Sequence, residues 1–261
     1  MNCSWLLAIG KRREYPSAFM NPTFGAAQDL RQTLSLGVIW YVVFLFSTVC
    51  HESAHALAAK IGGDPTAFEG GQVTLNPLPH MQREPVGILI VPIVSYVLWG
   101  WMIGWASAPY DPLWAQRHPR RAAWMALAGP AANFSLMILA AIGIRAGMAM
   151  GAFRAPDSAS FTHVTQATGG AELAATVLSI AFVLNLLLGT FNLLPFPPLD
   201  GHSGITVVMD AQTARRFMNS MFSRLGLAGI LVAWIIYDKV FPYVFTLALN
   251  LLYPGLHYGP G

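Results

Sequence analysis

The stretch His51-Glu52-Ser53-Ala54-His55 sets two imidazoles four residues apart, with a carboxylate beside the first. On a helix, residues i and i+4 share a face, so both rings reach one metal ion and Glu52 stands beside them as a general base for water. The composition predicts on the order of 0.004 such matches by chance. Position adds to the signal, because the motif ends a charge-free apolar run, residues 34–50. An ionisable group there costs roughly 2.5–3.5 kcal/mol and is functional by default. Cys50, just before it, reads as a buried helical thiol. Together with Cys3 it supplies no disulfide framework.

A catalytic zinc usually has three protein ligands and one open position. The spare imidazoles are His80, His118, His163, His202 and His257; the carboxylates include Asp64, Glu69, Glu84, Asp200 and Asp210. Asp200 stands out, since it follows a long apolar run and the proline turn Pro195-Phe196-Pro197-Pro198, and Gly201 admits a close backbone approach. A plain turn or helix-cap aspartate competes with the ligand reading, and local grounds leave the two open.

The elements that must carry these residues are apolar. Of 261 residues, 55% are hydrophobic and 10% charged, with a net charge of +3, where a soluble domain carries about 25% charged residues. Charge-poor runs cover residues 34–50, 85–110, 122–144 and 173–199, and a fifth region from Leu225 is interrupted by Asp238, Lys239 and Pro242. At about 20 residues per span, this is an all-α multi-pass membrane protein with five to six hydrophobic helical segments. The fifth region is one kinked helix or a short hairpin. Residues 1–33 are expected as an interfacial or loop segment, without the charge order of a cleaved signal. Residues 34–252 form a single membrane domain and 253–261 a tail. Gly62-Gly63-Asp64-Pro65 ends the first helix. Val73-Thr74-Leu75, between Gly and Pro breakers, suggests a short strand or hairpin near the site. Gly129-Pro130 is a kink candidate. Basic clusters such as Arg120-Arg121 and Arg215-Arg216 suit a lipid surface, and no aromatic-laced basic stripe suggests nucleic acid.

HESAH, GGDPTAFEGGQVTLNPLPH, LAGPAANF and FNLLPFPPLDGH occur here in the order seen in the site-2 protease family, over roughly residues 47–205. The chain most resembles the small members without a PDZ domain. The resemblance implies an intramembrane zinc endopeptidase with one Zn2+ per chain, held by His51, His55 and Asp200, with Glu52 catalytic. It implies transmembrane protein substrates, a lipid bilayer, and the cell membrane of a prokaryote. Asn192 would help hold the substrate strand. Asn76 in the 73–76 strand, which would pair with substrate by edge addition, and Asn133, three residues past Pro130, are the further substrate-binding candidates. For Asn133 and Asn185, interhelical hydrogen bonds are the competing reading. The chain departs from its relatives at residues 80–87, two longer than an H-x-D-P-x-G pattern, and at Gln72, where a basic residue is common. His80 reads as a loop histidine pinned by backbone bonds, with a site-facing role as the alternative, and His202 either supports the site's ligands or is merely adjacent.

Four full spans would set His51 and Asp200 at opposite faces of the bilayer. Loop charges favour that arrangement, but metal ligation tolerates only tenths of an ångström. The expectation is therefore that residues 85–110 are re-entrant. Among rivals, a prenyl-protein-type protease would want a downstream glutamate, and only Glu172 follows. A desaturase needs more histidine boxes, and a transporter more intramembrane acids. An inactive client-binding relative would not need the His, Glu, His and Asp set intact. Substrate identity and oligomeric state are not legible.

Overall fold

The structure, a computed structural model, describes residues 30–225 and 228–259. The expectation for residues 1–29, that they are an interfacial or loop segment, lies outside these. Four helices are long and apolar enough to cross a membrane: α1 (Leu30–Gly62), α6 (Pro119–Ala149), α7 (Glu172–Asn192) and α10 (Ala228–Leu252). The shorter helices are α2 (Thr66–Glu69), α3 (Pro77–Arg83), α4 (Val91–Trp99), α5 (Pro112–Arg117), α8 (Asp200–Gly204) and α9 (Ala211–Leu225).

The bundle alternates in direction. Gly62, the end of α1, has its carbonyl bonded by Trp114 Nε1 and by Arg121 Nη1, both at 3.1 Å, so α6 begins where α1 finishes. Asn133 bonds Asn185 while Gly143 packs on Leu178, which makes α7 antiparallel to α6. Tyr237 Oη donates to Leu187 O at 3.1 Å, and Tyr253 Oη donates to Val164 O at 2.7 Å, so α10 runs back along α7. Apolar residues lie inside and outside. Trp40, Phe44, Phe182, Phe241 and Phe245 form the core, where side-chain packing holds the helices together, since lipid is as apolar as the interior. Leu34, Val38, Val42 and Phe46, spaced by four, face outward on α1, as a lipid-facing helix requires.

Residues 85–110 turn back on themselves. A turn with π-type bonding at Val86–Ile90 leads into α4, bent by 110° from α3. Tyr96 on α4 bonds Thr33 O at 2.7 Å, near the start of α1. The chain then returns in extended form: Trp105 N donates to Gly87 O at 3.2 Å, Ser107 Oγ donates to Glu84 Oε1 at 2.6 Å, and Asp111 N to Asp64 Oδ2 at 2.8 Å. The legs touch at Gly87, where a Cβ would sit 2.2 Å from Trp105 O. The run enters and leaves beside the end of α1, the re-entrant path that shared metal ligation demands.

Two details differ from expectation. The expected strand at residues 73–76 is a bend. Thr74 O accepts from the Ser53 hydroxyl and lies 3.1 Å from His80 Nε2, and Thr74 Oγ1 takes the Asn76 N–H. Local side-chain bonds have displaced the ladder, and edge pairing with substrate there loses its premise. The short antiparallel pair is instead β1 (Phe153–Arg154) with β2 (Gln166–Ala167). It follows the far end of α6, 20 residues and about 30 Å along the helix from Gly129. The fifth apolar region is one helix with Pro242 inside it. The residues after it are packed, with Tyr258 Oη donating to Pro156 O at 2.8 Å.

Candidate metal centre

His51 and His55 lie on α1, eleven residues and seven residues before its end at Gly62, and both are 7% exposed. The site is therefore about 10–16 Å inside the bundle end. α7 ends at Asn192, and a turn containing a cis Pro197–Pro198 bond leads to Asp200, the first residue of α8. A Cβ on Gly201 would sit 2.2 Å from Leu193 O. Only glycine lets α8 lie against the last turn of α7 and carry Asp200 inward.

Asp200 Oδ2 lies 3.1 Å from His51 Nε2 and 3.3 Å from His55 Nε2, and the two Nε2 atoms are 2.9 Å apart. Tetrahedral bonds of about 2.0–2.1 Å put ligand atoms roughly 3.3 Å apart. Proton positions follow from the far side of each ring. His51 Nδ1 donates to Asn133 Oδ1 at 2.6 Å, and His55 Nδ1 donates to Met125 O at 2.8 Å. Each imidazole thus turns a bare Nε2 lone pair inward. Asp200 Oδ2 is itself buried with no hydrogen-bond donor. Three acceptors converging without a proton among them repel one another unless a cation lies between, so the residues fit a metal ion. Among the described residues, this is the group of His, Cys, Asp and Glu that could hold one.

Asn133 is not free to bind substrate, contrary to expectation. It is 0% exposed, and its Nδ2 donates to Asn185 Oδ1 at 2.8 Å, whose Nδ2 in turn donates to Ser47 Oγ at 2.9 Å. A buried polar chain thus links α6, α7 and α1 and ends on the His51 ring. The competing reading, interhelical hydrogen bonds, is the one the structure bears out, and one of those bonds is to the His51 imidazole. Gly129 is a residue whose importance the kink reading overlooked. A Cβ there would lie 2.2 Å from His55 Nε2 and 2.5 Å from His51 Nε2. Its signal in the sequence was a glycine one turn before Asn133, on the same helix face.

Glu52 is 5% exposed beside His51 on α1. Asn192 sits on the last turn of α7, its Nδ2 donating to Leu188 O at 3.0 Å. Asn76 is exposed, and its Oδ1 caps α3 by accepting from Leu78 N at 3.1 Å. His80 is 1% exposed and pinned to Thr74 O, as expected of it.

The family described as Peptidase family M50 matches residues 39–235. A Bacillus subtilis (strain 168) protein, the candidate zinc metalloprotease YwhC, is 34% identical over 65% of this chain and 68% of its own length. The candidate zinc metalloprotease Rip2 of Mycolicibacterium smegmatis is 31% identical over 73% of this chain. The match spans 65% of that relative, just under two thirds. No solved structure gives a significant match.

Proposed function

The chain belongs to peptidase family M50, the site-2 protease family, and we propose that it hydrolyses peptide bonds in or beside transmembrane segments of other membrane proteins. In this reading one zinc ion is held by His51, His55 and Asp200. The observation that carries it is the convergence of three buried acceptor atoms about 10–16 Å inside a bundle of lipid-facing helices.

Zinc, when bound, supplies Lewis-acid polarisation of the scissile carbonyl. The protein's own groups do the rest. Asn133 and the Met125 carbonyl hold each imidazole in the tautomer that presents Nε2. Glu52 takes a proton from water as its oxygen attacks the carbonyl carbon. The same glutamic acid returns that proton to the amine as the C–N bond breaks. A substrate helix hides its carbonyls in hydrogen bonds and must unwind before attack. Asn192, partly exposed on the last turn of α7 before Asp200, is assigned to hold the unwound strand.

The test is a comparison of membrane proteomes from cells carrying the wild type or Glu52→Gln, with zinc measured in both proteins. Client fragments that disappear in Glu52→Gln while zinc stays bound support the reading. Unchanged fragments would leave a client-binding protein without proteolysis.

A further inference from the structure

At the bundle end where α1 finishes, a cavity of about 500 Å3 opens between α5, the start of α6, the Pro198-Leu199 turn, α8 and α9. None of His51, Glu52, His55 and Asp200 lines it. His202 does, 5% exposed, with the Met218 backbone near its ring and no well-aligned hydrogen bond to either ring nitrogen. Its ring rests on Phe217, with centroids 5.1 Å apart. An imidazole held this loosely is completed by whatever polar group occupies the cavity.

The other polar lining residues are Arg215, Gln116, Ser203 and Tyr110. Arg215 Nε donates to Ala211 O at 3.1 Å and its Nη1 to Gln116 O at 3.3 Å, which fixes the guanidinium between α9 and α5. Ser203 and Tyr110 add hydroxyls, while Pro198 and Met218 supply apolar wall. No Asp or Glu is among the lining residues, and Arg215 is the permanently charged group there. Nearby in sequence, Arg120 and Arg216 are exposed, while Arg117 pairs with Asp111 at 3.4 Å and Arg121 donates to Gly62 O. In α9, Ala214 is buried and Phe217 and Met218 are half-buried, while Arg215 and Arg216 are exposed. That is the pattern of a helix lying in the headgroup layer.

We propose that this cavity binds the phosphate of an anionic ligand, with Arg215 as its charge partner and His202 and Ser203 as donors. A phospholipid headgroup and free phosphate share that chemistry. The ligand would lie beside α8, two residues along from Asp200, without touching the metal centre.

Native mass spectrometry of the full chain in detergent, titrated with phosphatidylglycerol, phosphatidylcholine or inorganic phosphate, tests this. One phosphatidylglycerol should be retained per chain in preference to phosphatidylcholine, and inorganic phosphate should displace it. Arg215→Gln should weaken retention about fivefold. Met218→Trp, which narrows the cavity while keeping the charge, should weaken it further. Bound zinc, read on the same samples, should not change, so the outcome is independent of the protease reading. Phosphate binding without retained phosphatidylglycerol would make the ligand soluble and leave the site standing. Equal retention of both lipids with no phosphate binding would overturn it, as would both variants holding phosphatidylglycerol like the wild type.

Discussion

Asn133 on α6 accepts the Nδ1 proton of His51 on α1 at 2.6 Å, and so fixes which nitrogen of that ring faces the metal position. The same amide donates to Asn185, and Asn185 to Ser47. Interhelical bonds of this kind average only about 0.6 kcal/mol each in membrane proteins, so the chain's weight falls on the imidazole more than on stability. Asn133→Leu should therefore lower zinc affinity about 10–100-fold with a small change in melting temperature. Asn133→Asp, which keeps an acceptor for Nδ1, should lose less. Chelator competition measures both, and equal affinities in all three proteins would remove Asn133 from the metal site.

Gly129 gives a prediction of opposite sign to helix propensity. Alanine is about 1 kcal/mol better than glycine within a helix, so Gly129→Ala should not weaken α6 on its own account. Its Cβ would, however, fall 2.2 Å from His55 Nε2. Loss of zinc and of proteolysis in a protein that still folds is the expected result, read by metal analysis and circular dichroism. Retained zinc would mean that α6 moves aside easily.

The re-entrant path is open to labelling. Phe68 lies just beyond α1, and Tyr110 closes the returning leg, which is tied to Asp64 through Asp111. With Cys3→Ser and Cys50→Ala as background, Phe68→Cys and Tyr110→Cys should react with an impermeant reagent from the same face of the membrane. Reaction from opposite faces would make residues 85–110 a full span.

Asp64 supplies a pH dependence. Burial alone would raise its pKa, but donors from the Thr66 hydroxyl, the Thr66 N–H and the Asp111 N–H hold the carboxyl below the usual range. A depressed folded pKa contributes stability above the unfolded value of about 3.9, lost as pH falls through the folded value. At neutral pH Asp64→Asn should be less stable by about 1–3 kcal/mol. The gap to the wild type should narrow below about pH 4. A gap constant down to pH 2 would mean that Asp64 does not clasp the hairpin through its charge.

What could be read in advance depended on how local its cause was. The His51–His55 pair needs only one helix, and four-residue spacing states it. Asp200 is 145 residues from His55, so spacing says nothing of their contact; the proline turn and Gly201 pointed there, and the family likeness carried the rest. Requiring the three to meet also exposed the re-entrant run, a case where chemistry corrected hydropathy. The strand at residues 73–76 failed because Val-Thr-Leu propensity cannot register Ser53 and His80 taking the Thr74 carbonyl. Asn133 was noticed as a polar residue in an apolar helix, but the ring it faces belongs to a segment 82 residues earlier.

The central claim is that one zinc ion is held jointly by α1 and the distant α8, and its most direct test is the zinc bound per purified chain in Asp200→Ala. Wild type and Glu52→Gln should each retain one zinc ion through dialysis, while Asp200→Ala, correctly folded, should lose it as His51→Ala does. A full complement of zinc in Asp200→Ala would contradict the account.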